Sequence, residues 1–394
     1  MAMDLATLML FTSEAGGSDL HLSAGAPPMI RANGEMRRVV VNGTEAAAMT
    51  AEEVRVMVQE ILTDAQKSQL EGNRELDFAM SLGAARFRGN CFYQDRGMGA
   101  VFRVLPTKIK SSEELGLLPA IKNLSNLEKG LVLVTGPTGS GKSTTLAALI
   151  DQVNAKERAH IITIEDPIEF VHPPKLSMVN QREVGRNTHS FANALRSSLR
   201  EDPDVMLVGE LRDHETMALA ITAAETGHLV FATLHTSSAA KTVDRMINVF
   251  PAGEQAQIRA MLADSLQAVV AQILVPKRGG KGRCAAQEIL IASTGVRAMI
   301  REGKTYQIPS AIQTGAKYGM QSLEQALTRL AAEGVIDAGE PERQLAALGL
   351  GREEEADKRL QQMLAANKPG APAMPVGAMS STPRIIPPWE KAKV

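Results

Sequence analysis

The sequence predicts an α/β protein in which a core of parallel βαβ units follows a smaller α+β domain. Two observations support this prediction. From about residue 113 onward, short apolar runs alternate with stretches of helical spacing. This pattern is typical of parallel strands that helices cover on both faces. The first hundred residues instead mix short strands of alternating polarity with two helical stretches, which indicates a separate α+β unit.

Four apolar runs in the second region predict the strands of the core. They lie at residues 131–135, 160–164, 205–208 and 228–234. The stretches between them predict helices at residues 142–156, 190–200 and 213–226. A further helical set is predicted from residue 254 to residue 274, and on to about residue 350. Strands joined through helices favour a parallel sheet.

Short strands dominate the prediction for the first region. Alternation with period two predicts a strand at residues 19–23. Residues 85–93 and 99–105 predict two strands that pair around a turn at residues 95–97. The turn contains Gly97, and turns of this kind connect antiparallel neighbours. An antiparallel sheet is therefore expected in the N-terminal domain.

Two helices are predicted in the same region. Residues 50–62 have helical spacing, and Thr50 and Glu53 stand in the arrangement of a capping box at the start of this helix. The first residues of the chain predict an amphipathic helix. Its apolar side chains turn inward, and we expect these to be Leu5, Leu8 and either Leu10 or Phe11.

These changes of pattern divide the chain into five segments. We predict an N-terminal domain, a linker rich in proline and polar residues, a core domain with C-terminal helices, a terminal helix and a disordered tail, at residues 1–105, 106–112, 113–350, 351–366 and 367–394. The tail holds six of the 19 prolines and the only tryptophan, Trp389. Few of its residues can build a core, which is typical of disorder.

Composition limits the classes of partner. Lys and Arg number 43 against 44 Asp and Glu, which gives a net charge of -1, and only 3% of the residues are aromatic. A strongly basic nucleic-acid coat and an extended base-stacking platform are therefore not expected. Two cysteines, Cys91 and Cys284, are too few for a four-thiolate zinc site and fit a reducing compartment.

The sequence also predicts a cytoplasmic protein without a transmembrane segment. No run reaches the ~18 consecutive apolar residues that a membrane-spanning helix needs. The apolar start of the chain carries Asp4 where an export signal has its basic region. We therefore expect neither export nor insertion into the membrane.

One motif carries specific chemistry. Residues 136–144 read Gly-Pro-Thr-Gly-Ser-Gly-Lys-Ser-Thr and match the pattern G-x-x-x-x-G-K-[ST] between a predicted strand and a predicted helix. Glycines let backbone N–H groups turn toward phosphate oxygens, and the helix N-terminus adds partial positive charge. Lys142 is expected on the β- and γ-phosphates of ATP and Ser143 on Mg²⁺. The residues of the phosphate loop are Gly136, Pro137, Thr138, Gly139, Ser140, Gly141, Lys142, Ser143 and Thr144.

Acidic residues follow two neighbouring strands. Glu210 ends the run at 205–208, and Gly209 stands where an aspartate is usual, so we expect Glu210 to act alone there through metal-bound water. Glu165, Asp166 and Glu169 follow the run at 160–164. Ligands bind at the carboxyl ends of parallel strands. Composition leaves open whether one of these three is a general base or all belong to a solvated loop.

Two histidines, His228 and His235, bracket the fourth predicted strand. No cysteine or third histidine at metal-ligand spacing lies nearby, so a zinc site is rejected. On residue types alone, the ordinary interpretation is a histidine in the core or at a strand end.

Four segments together resemble the PilT/GspE family of secretion ATPases. Residues 136–144, 164–170, 199–210 and 224–235 are similar to the Walker A motif, Asp box, atypical Walker B motif and His box of that family. The pilus-retraction branch is the most similar, and residues 18–28 and 295–302 match it as well. The match spans roughly residues 3–345. It implies a hexameric ring of subunits with a PAS-like N-terminal domain, a RecA-like core, and ATP between the two.

The resemblance also implies roles for individual residues. Glu169 becomes the expected general base, and Glu210 serves Mg²⁺ and the attacking water. Both histidines, His228 and His235, are expected near the γ-phosphate. Three arginines fall where the family places its γ-phosphate arginines: Arg88, Arg96 and Arg103. The alternative for each of them is an ordinary surface arginine on an edge strand.

A pilus-retraction ATPase is the function that the resemblance implies. ATP hydrolysis then returns pilin subunits to the membrane and drives twitching motility. The expected partners are an inner-membrane platform protein at the pilus base and a paralogous retraction ATPase, with the ring on the cytoplasmic side of that membrane. In the helix at residues 295–302, Val296, Met299 and Ile300 are expected to dock on the core. Arg297 and Arg301 are then expected to be free for another contact that couples hydrolysis to retraction.

Alternatives remain at this stage. An accessory retraction paralogue shares the motifs. A pilus-extension or type II secretion ATPase is disfavoured, because only about 110 residues precede the core and the two cysteines lie 193 positions apart. A RecA-like hexameric helicase is disfavoured by neutral charge and scarce aromatics. A nucleotide-regulated binding protein without motor action also stays open.

Overall fold

The computed structural model describes residues 4–32, 34–41, 44–280 and 282–349. The predicted terminal helix at 351–366 and the predicted disordered tail at 367–394 lie outside the described residues. The chain up to Ala338 forms one compact unit, and a second unit begins at Gly339. In the second unit the structure describes one helix, Glu340–Ala347. None of the helices within the described ranges is long and apolar enough to cross a bilayer.

The N-terminal part is an antiparallel sheet with three helices. Its helices are α1 (Leu5–Glu14), α2 (Ala51–Ile61) and α3 (Asp64–Asn73). Its strands are β1 (Asp19–Ser23), β2 (Met29–Ala32), β3 (Glu35–Arg38), β4 (Val40–Val41), β5 (Thr44–Glu45), β6 (Glu75–Leu82), β7 (Ala85–Gln94) and β8 (Gly97–Leu105). Six of them form a sheet of order β3-β2-β1-β8-β7-β6, and β4 pairs with β5. The predicted strand at 19–23, the predicted hairpin and the α+β character are confirmed.

Helix α1 buries a different face from the one predicted. Leu5 and Leu8 are buried as expected, but Met9 and Thr12 complete the buried face. Leu10 and Phe11 are 37% and 38% exposed, so their predicted inward orientation is wrong. The positions 5, 8, 9 and 12 follow the i, i+3, i+4, i+7 spacing of one helix face, which a helix with 3.6 residues per turn imposes.

Helix α2 begins as its sequence predicts. The Thr50 hydroxyl accepts a hydrogen bond of 3.2 Å from the Glu53 backbone N–H. The Glu53 carboxylate accepts one of 2.7 Å from the Thr50 backbone N–H. These two reciprocal bonds satisfy N–H groups that have no partner within the helix. The predicted capping box is therefore confirmed.

The core is a seven-stranded sheet covered on both faces. Its strands are β9 (Gly130–Thr135), β10 (His160–Glu165), β11 (Met178–Glu183), β12 (Val205–Val208), β13 (Leu229–Leu234), β14 (Leu266–Pro276) and β15 (Arg283–Ile291). The strand order is β11-β10-β12-β13-β9-β14-β15, and every neighbouring pair is parallel except β14 with β15. Because strands covered on both faces are apolar throughout, the short apolar runs of the sequence located most of them.

Nine helices of the first unit, in addition to α1–α3, surround or follow this sheet within the described residues. They are α4 (Pro119–Lys122), α5 (Lys142–Lys156), α6 (Phe191–Ser198), α7 (His214–Glu225), α8 (Ala239–Asn248), α9 (Gln255–Ser265), α10 (Thr294–Arg301) and α11 (Ile308–Thr314), followed by α12 (Leu323–Ala332). Helix α5 contributes to the apolar cluster on one face of the sheet. Helices α6 to α11 contribute to the cluster on the other face.

The helical set predicted from residue 254 to residue 274 is wrong in its second half. Helix α9 ends at Ser265, and the next eleven residues form β14. Strand β14 lies between β9 and β15, where it is buried on both faces. A strand buried in this way shows no alternation, and its apolar run is hard to distinguish from a buried helix by periodicity alone.

Helix α10 docks on the core as predicted, but its arginines are not free. Val296 and Ile300 are buried. The Arg297 guanidinium donates to the backbone carbonyls of Ala263 at 2.6 Å and Asp264 at 2.8 Å. Arg301 donates to the Asp264 carboxylate at 2.6 Å. The predicted freedom of Arg297 and Arg301 is therefore wrong, because both hold the C-terminal end of α9.

Candidate active site

The phosphate loop joins β9 to α5 in a conformation that requires glycine. Gly136, Gly139 and Gly141 have φ values of 140°, 78° and 88°, a region that other residues rarely adopt. A Cβ atom on Gly136 would lie 2.2 Å from the backbone oxygen of Gln272. The helix begins at Lys142, so the backbone N–H groups of its first turn are directed toward the loop.

Gln272 supports this loop, and sequence analysis missed it. Its side chain is buried on β14. The amide Nε2 donates to the Ser140 carbonyl at 2.8 Å, and Oε1 accepts from the Thr145 hydroxyl at 3.0 Å. One side chain thus connects the loop to the first turn of α5. The signal in the sequence was a glutamine within an apolar run. Because a helix is predicted there, the contact of this glutamine with the phosphate loop could not be inferred.

Lys142 lies folded over the loop. Its Nζ donates to the carbonyls of Gly136 at 2.9 Å and Pro137 at 3.1 Å. Burial lowers the pKa of Lys142, and the nearby carboxylates of Glu210 and Glu169 favour its charged form. The Ser140 hydroxyl oxygen is buried without a hydrogen-bond partner. A cationic side chain beside an unsatisfied hydroxyl and a helix N-terminus fits an anionic phosphate chain.

A cleft of about 570 Å³ opens beside the loop. The predicted site residues that line it come from the phosphate loop, from the ends of β10 and β12, and from the N-terminal sheet. They are Thr138, Gly139, Gly141, Lys142, Ser143, Thr144, Glu165, Asp166, Glu169, Glu210, His235, Arg88 and Arg103. The structure thus brings together residues that lie more than a hundred positions apart in the sequence.

Among the three acidic residues at the carboxyl end of β10, Glu165 has a perturbed pKa. Burial raises the pKa of Glu165 to about 7. Hydrogen bonds act against this shift, since Oε1 accepts from the Thr163 hydroxyl at 2.7 Å and from the Gln181 amide at 3.2 Å. Asp166 is exposed, and Glu169 is partly buried. The three carboxyl groups at this end of the strand therefore occupy different environments.

Glu210 lies beside two basic side chains. Its Oε1 is 3.2 Å from Nε2 of His235, and its Oε2 accepts from Nε of Arg212 at 2.9 Å. The residue before it has little room for a side chain. A Cβ on Gly209 would lie 3.2 Å from the Ile164 carbonyl oxygen and 3.3 Å from the Glu165 Cα. A side chain at this position would therefore press on the end of β10.

The structure separates the three arginines. Arg88 and Arg103 are paired opposite each other on β7 and β8, and both line the cleft. Nε of Arg103 donates to the Asp19 carboxylate at 2.8 Å, and Nε of Arg88 lies 3.9 Å from Asp77. Arg96 lies at the turn between the two strands, about 20 Å along β8 from Arg103 at the usual rise per residue. Arg96 is not among the residues that line the cleft of its own chain.

The two histidines lie at opposite ends of β13. His235 follows the strand and lines the cleft. His228 precedes it, and its carbonyl accepts a hydrogen bond from Gly130 at the start of β9. The ring of His228 contacts the Ala223 carbonyl at 2.9 Å. The phosphate loop follows the far end of β9, so the expected placement of His228 near the γ-phosphate is corrected for the single chain.

The cleft offers few direct ligands for a metal ion. Ser143 and Glu210 both line it. In the part of the chain that the structure describes, no group of three or more His, Cys, Asp or Glu residues is placed to hold a metal. A hydroxyl, one carboxylate and the oxygens of a phosphate chain fit Mg²⁺, which usually keeps several of its waters.

Comparison with known proteins gives a consistent picture. A family model described as type II/IV secretion system protein matches residues 11–343. The type IV pilus retraction ATPase PilT of Pseudomonas aeruginosa is 55% identical over 335 residues, which cover 85% of this chain and 96% of that protein. A twitching motility protein of Neisseria gonorrhoeae is 54% identical over 310 residues, which cover 78% of this chain and 82% of that protein.

A solved structure is also similar. The crystal structure of the pilus retraction motor PilT with bound ADP matches with a TM-score of 0.79 and 44% sequence identity, and the match covers 86% of this chain and 96% of that one. This likeness confirms the predicted fold class, a RecA-like core with a smaller α+β domain before it. The chain belongs to the family of type II/IV secretion system proteins.

Proposed function

We propose that this protein is the ATPase motor of type IV pilus retraction, which disassembles the pilus and drives twitching motility. The observation that carries the proposal is the cleft at the carboxyl edge of the core sheet. It combines a complete phosphate loop with Lys142, Glu169 and Glu210. The similarity to the retraction ATPase PilT extends over nearly the whole of that protein, which supports the motor function as well as the chemistry.

Lys142 and the loop amides bind the phosphates of ATP in this proposal. The two hydrogen bonds that Lys142 now donates to backbone carbonyls are exchanged for bonds to the β- and γ-phosphate oxygens. Gln272 keeps the loop in shape through Ser140 and Thr145. Ser143 and Glu210, which both line the cleft, would hold Mg²⁺, and the ion would neutralise charge on the phosphates.

Glu169 is the proposed general base, which accepts a proton from the attacking water. The nearby Glu165 is a less suitable base, because its Oε1 already accepts two hydrogen bonds. Asp166 is exposed and therefore solvated. His235 orients Glu210 through the contact between their side chains.

Arginines complete the site in this proposal. Arg88 and Arg103 face the phosphates from the N-terminal sheet of the same chain. Arg96 does not line that cleft, so it acts on the nucleotide of a neighbouring subunit in a ring of six. We further propose that the ring works at the base of the pilus, against an inner-membrane platform protein and together with a paralogous retraction ATPase.

Four single substitutions test the chemistry. Lys142→Ala is expected to lose most ATP binding and turnover. Glu169→Gln is expected to bind ATP with normal affinity and to lose hydrolysis by at least ~100-fold, because an amide cannot accept the proton. Glu165→Gln and Asp166→Asn serve as matched controls in the same loop, and both should keep more than half of the turnover. Near-normal hydrolysis by Glu169→Gln would remove Glu169 from the mechanism.

Deletion of the gene separates retraction from the alternatives. Cells without a retraction motor should be over-piliated and non-motile. Loss of pili would indicate an extension ATPase instead, and normal twitching would indicate an accessory paralogue. A helicase is tested by binding to single-stranded DNA at low salt, where no binding is expected for a chain of net charge -1.

A further inference from the structure

A buried ion pair connects the N-terminal sheet to the core. Arg86 lies on β7, and Glu183 is the last residue of β11. Nη2 of Arg86 is 3.5 Å from Oε2 of Glu183, and the two side chains are only 9% and 6% exposed. Buried ion pairs contribute little to stability compared with well-packed apolar residues. The pair therefore invites a functional explanation.

Both groups of this pair hold the residue before Glu169. The Glu183 carboxylate accepts a hydrogen bond of 3.1 Å from the Ile168 backbone N–H. Nε of Arg86 donates to the Ile168 carbonyl at 3.0 Å. That carbonyl belongs to the peptide group that joins Ile168 to Glu169. The position of the Glu169 backbone therefore depends directly on a side chain of the N-terminal sheet.

The guanidinium shape is what makes this connection possible. Arg86 reaches three partners at once, since Nη1 also donates to the Ser81 hydroxyl at 3.2 Å. Its planar group presents five donors in a fixed fork, whereas a lysine presents one compact charge. Within the described residues, the hydrogen bonds of Arg86 go to Ile168, Ser81 and Glu183 and not to the phosphate loop. A shift of Arg86 would therefore act on the Glu169 loop directly and on the phosphate loop only indirectly.

We propose that Arg86 is a positioning residue that makes hydrolysis depend on the packing of the N-terminal sheet against the core. Arg86 of the sheet holds the Ile168 carbonyl, Glu183 of the core holds the Ile168 N–H, and the ion pair fixes the two groups together. Withdrawal of the sheet releases the carbonyl and leaves the Glu183 carboxylate without its guanidinium. Nucleotide can bind with the sheet packed or withdrawn, but hydrolysis proceeds only when the sheet is packed against the core. The inference rests on the proposed role of Glu169 as general base.

Arg86→Lys tests the proposal without leaving Glu183 as an unpaired buried charge. The lysine keeps the charge but cannot bridge Ile168 and Glu183 as the fork does. In the full-length protein, kcat for ATP should fall ~10-fold or more while KM changes less than about twofold, as expected when a reacting group is misplaced but binding is kept. Arg182→Lys is the matched control and should leave both parameters unchanged. Arg182 precedes Glu183 on β11, and its guanidinium pairs with the Glu201 carboxylate at 3.0 Å.

Hydrogen exchange gives a readout independent of ATP turnover. In Arg86→Lys, the peptide covering residues 165–170 should exchange faster than in the wild type, because the guanidinium no longer holds the Ile168 carbonyl or the Glu183 carboxylate that accepts from the Ile168 N–H. The peptide covering residues 136–144 should be unchanged. Two results overturn the proposal: a kcat equal to that of the wild type, or a parallel loss of kcat and ATP affinity with faster exchange throughout the core.

The same experiment separates this inference from the proposed function. Glu169→Gln tests the base assignment in a protein whose Arg86 is intact. If Glu169→Gln still hydrolyses ATP, the base assignment fails. The exchange of residues 165–170 in Arg86→Lys still decides whether Arg86 holds the loop.

Discussion

Glu165 is the carboxyl group of the cleft whose protonation the fold changes most clearly. Burial raises its pKa from an ordinary value of 4.5 to about 7. The folded state therefore binds a proton more tightly than the unfolded state between these two pH values. Because stability falls with rising pH wherever the folded state holds more protons, this group should destabilise the protein as the pH increases from about 4.5 to about 7.

Replacement of Glu165 should remove the part of the pH dependence of the free energy of unfolding that its carboxyl group causes. Glu165→Gln has no proton to lose and can still accept the hydrogen bonds from Thr163 and Gln181. The relevant quantity is the free energy of unfolding of the variant minus that of the wild type. This difference should be about 2–3 kcal/mol larger at pH 8 than at pH 4.5. Urea unfolding at a series of pH values measures this. Parallel pH profiles for the two proteins would show that Glu165 titrates normally.

Single residues differed in how far the sequence could predict them. The phosphate loop was predictable because its residues are consecutive and its glycines follow from backbone geometry. Gln272 was not, since it acts on Ser140 and Thr145, which lie more than 120 positions earlier. His228 and His235 are seven positions apart in one motif, yet the strand between them places them at opposite edges of the sheet.

At the scale of elements, the sequence predicted helix caps more accurately than strands buried on both faces. The first residue of a helix was predicted closely where the side chain that caps the helix directly precedes it in the sequence. Ser190 and Asp213 each accept a hydrogen bond from the backbone three residues later, and the predicted helices began at these positions. Strand β14 differs from its predicted helix because it is buried on both faces and one of its two neighbours, β9, comes from a distant part of the chain. Local patterns cannot report such pairing.

The contact between α10 and α9 leads to a prediction about stability. Arg297 donates to two carbonyls at the C-terminal end of α9, where a cation also interacts favourably with the helix dipole. Arg297→Ala should therefore lower the free energy of unfolding by about 1–2 kcal/mol. Arg301→Ala is the matched control. Its exposed pair with Asp264 is expected to contribute at most about 1 kcal/mol.

Urea unfolding of the two variants measures these differences, with ATP turnover recorded at 25 °C for comparison. Both variants should hydrolyse ATP at nearly the wild-type rate. An Arg297→Ala variant with wild-type stability but no pilus retraction would contradict this structural role. It would restore the earlier hypothesis that Arg297 contacts a partner.

At the scale of the whole molecule, the proposed ring makes a prediction about mass. Six copies of a 42.2 kDa chain give a particle of ~250 kDa, and head-to-tail contacts can close such a ring. Light scattering at micromolar protein should detect this particle, with a larger fraction in the presence of ATP and Mg²⁺. Only monomer under both conditions would count strongly against the ring.

Arg96 provides a sharper test of the ring, because it does not line the cleft of its own chain. If Arg96 acts on the γ-phosphate, it does so across a subunit boundary. Arg96→Ala alone should lower turnover by at least ~100-fold, as loss of an arginine finger does, and Lys142→Ala alone should be inactive. In a mixed ring, some clefts combine an intact Lys142 from one subunit with an intact Arg96 from its neighbour.

Mixing the two inactive proteins should therefore restore activity. With random assembly at equal amounts, about a quarter of the clefts have both residues, so turnover should reach up to about a quarter of the wild-type rate in a ring of head-to-tail contacts. Each variant alone, taken through the same procedure, is the control and should stay inactive. A mixture no more active than its two components would mean that Arg96 does not act across subunits. Arg88 and Arg103, which already line the cleft of their own chain, would then be the arginines that remain for the γ-phosphate.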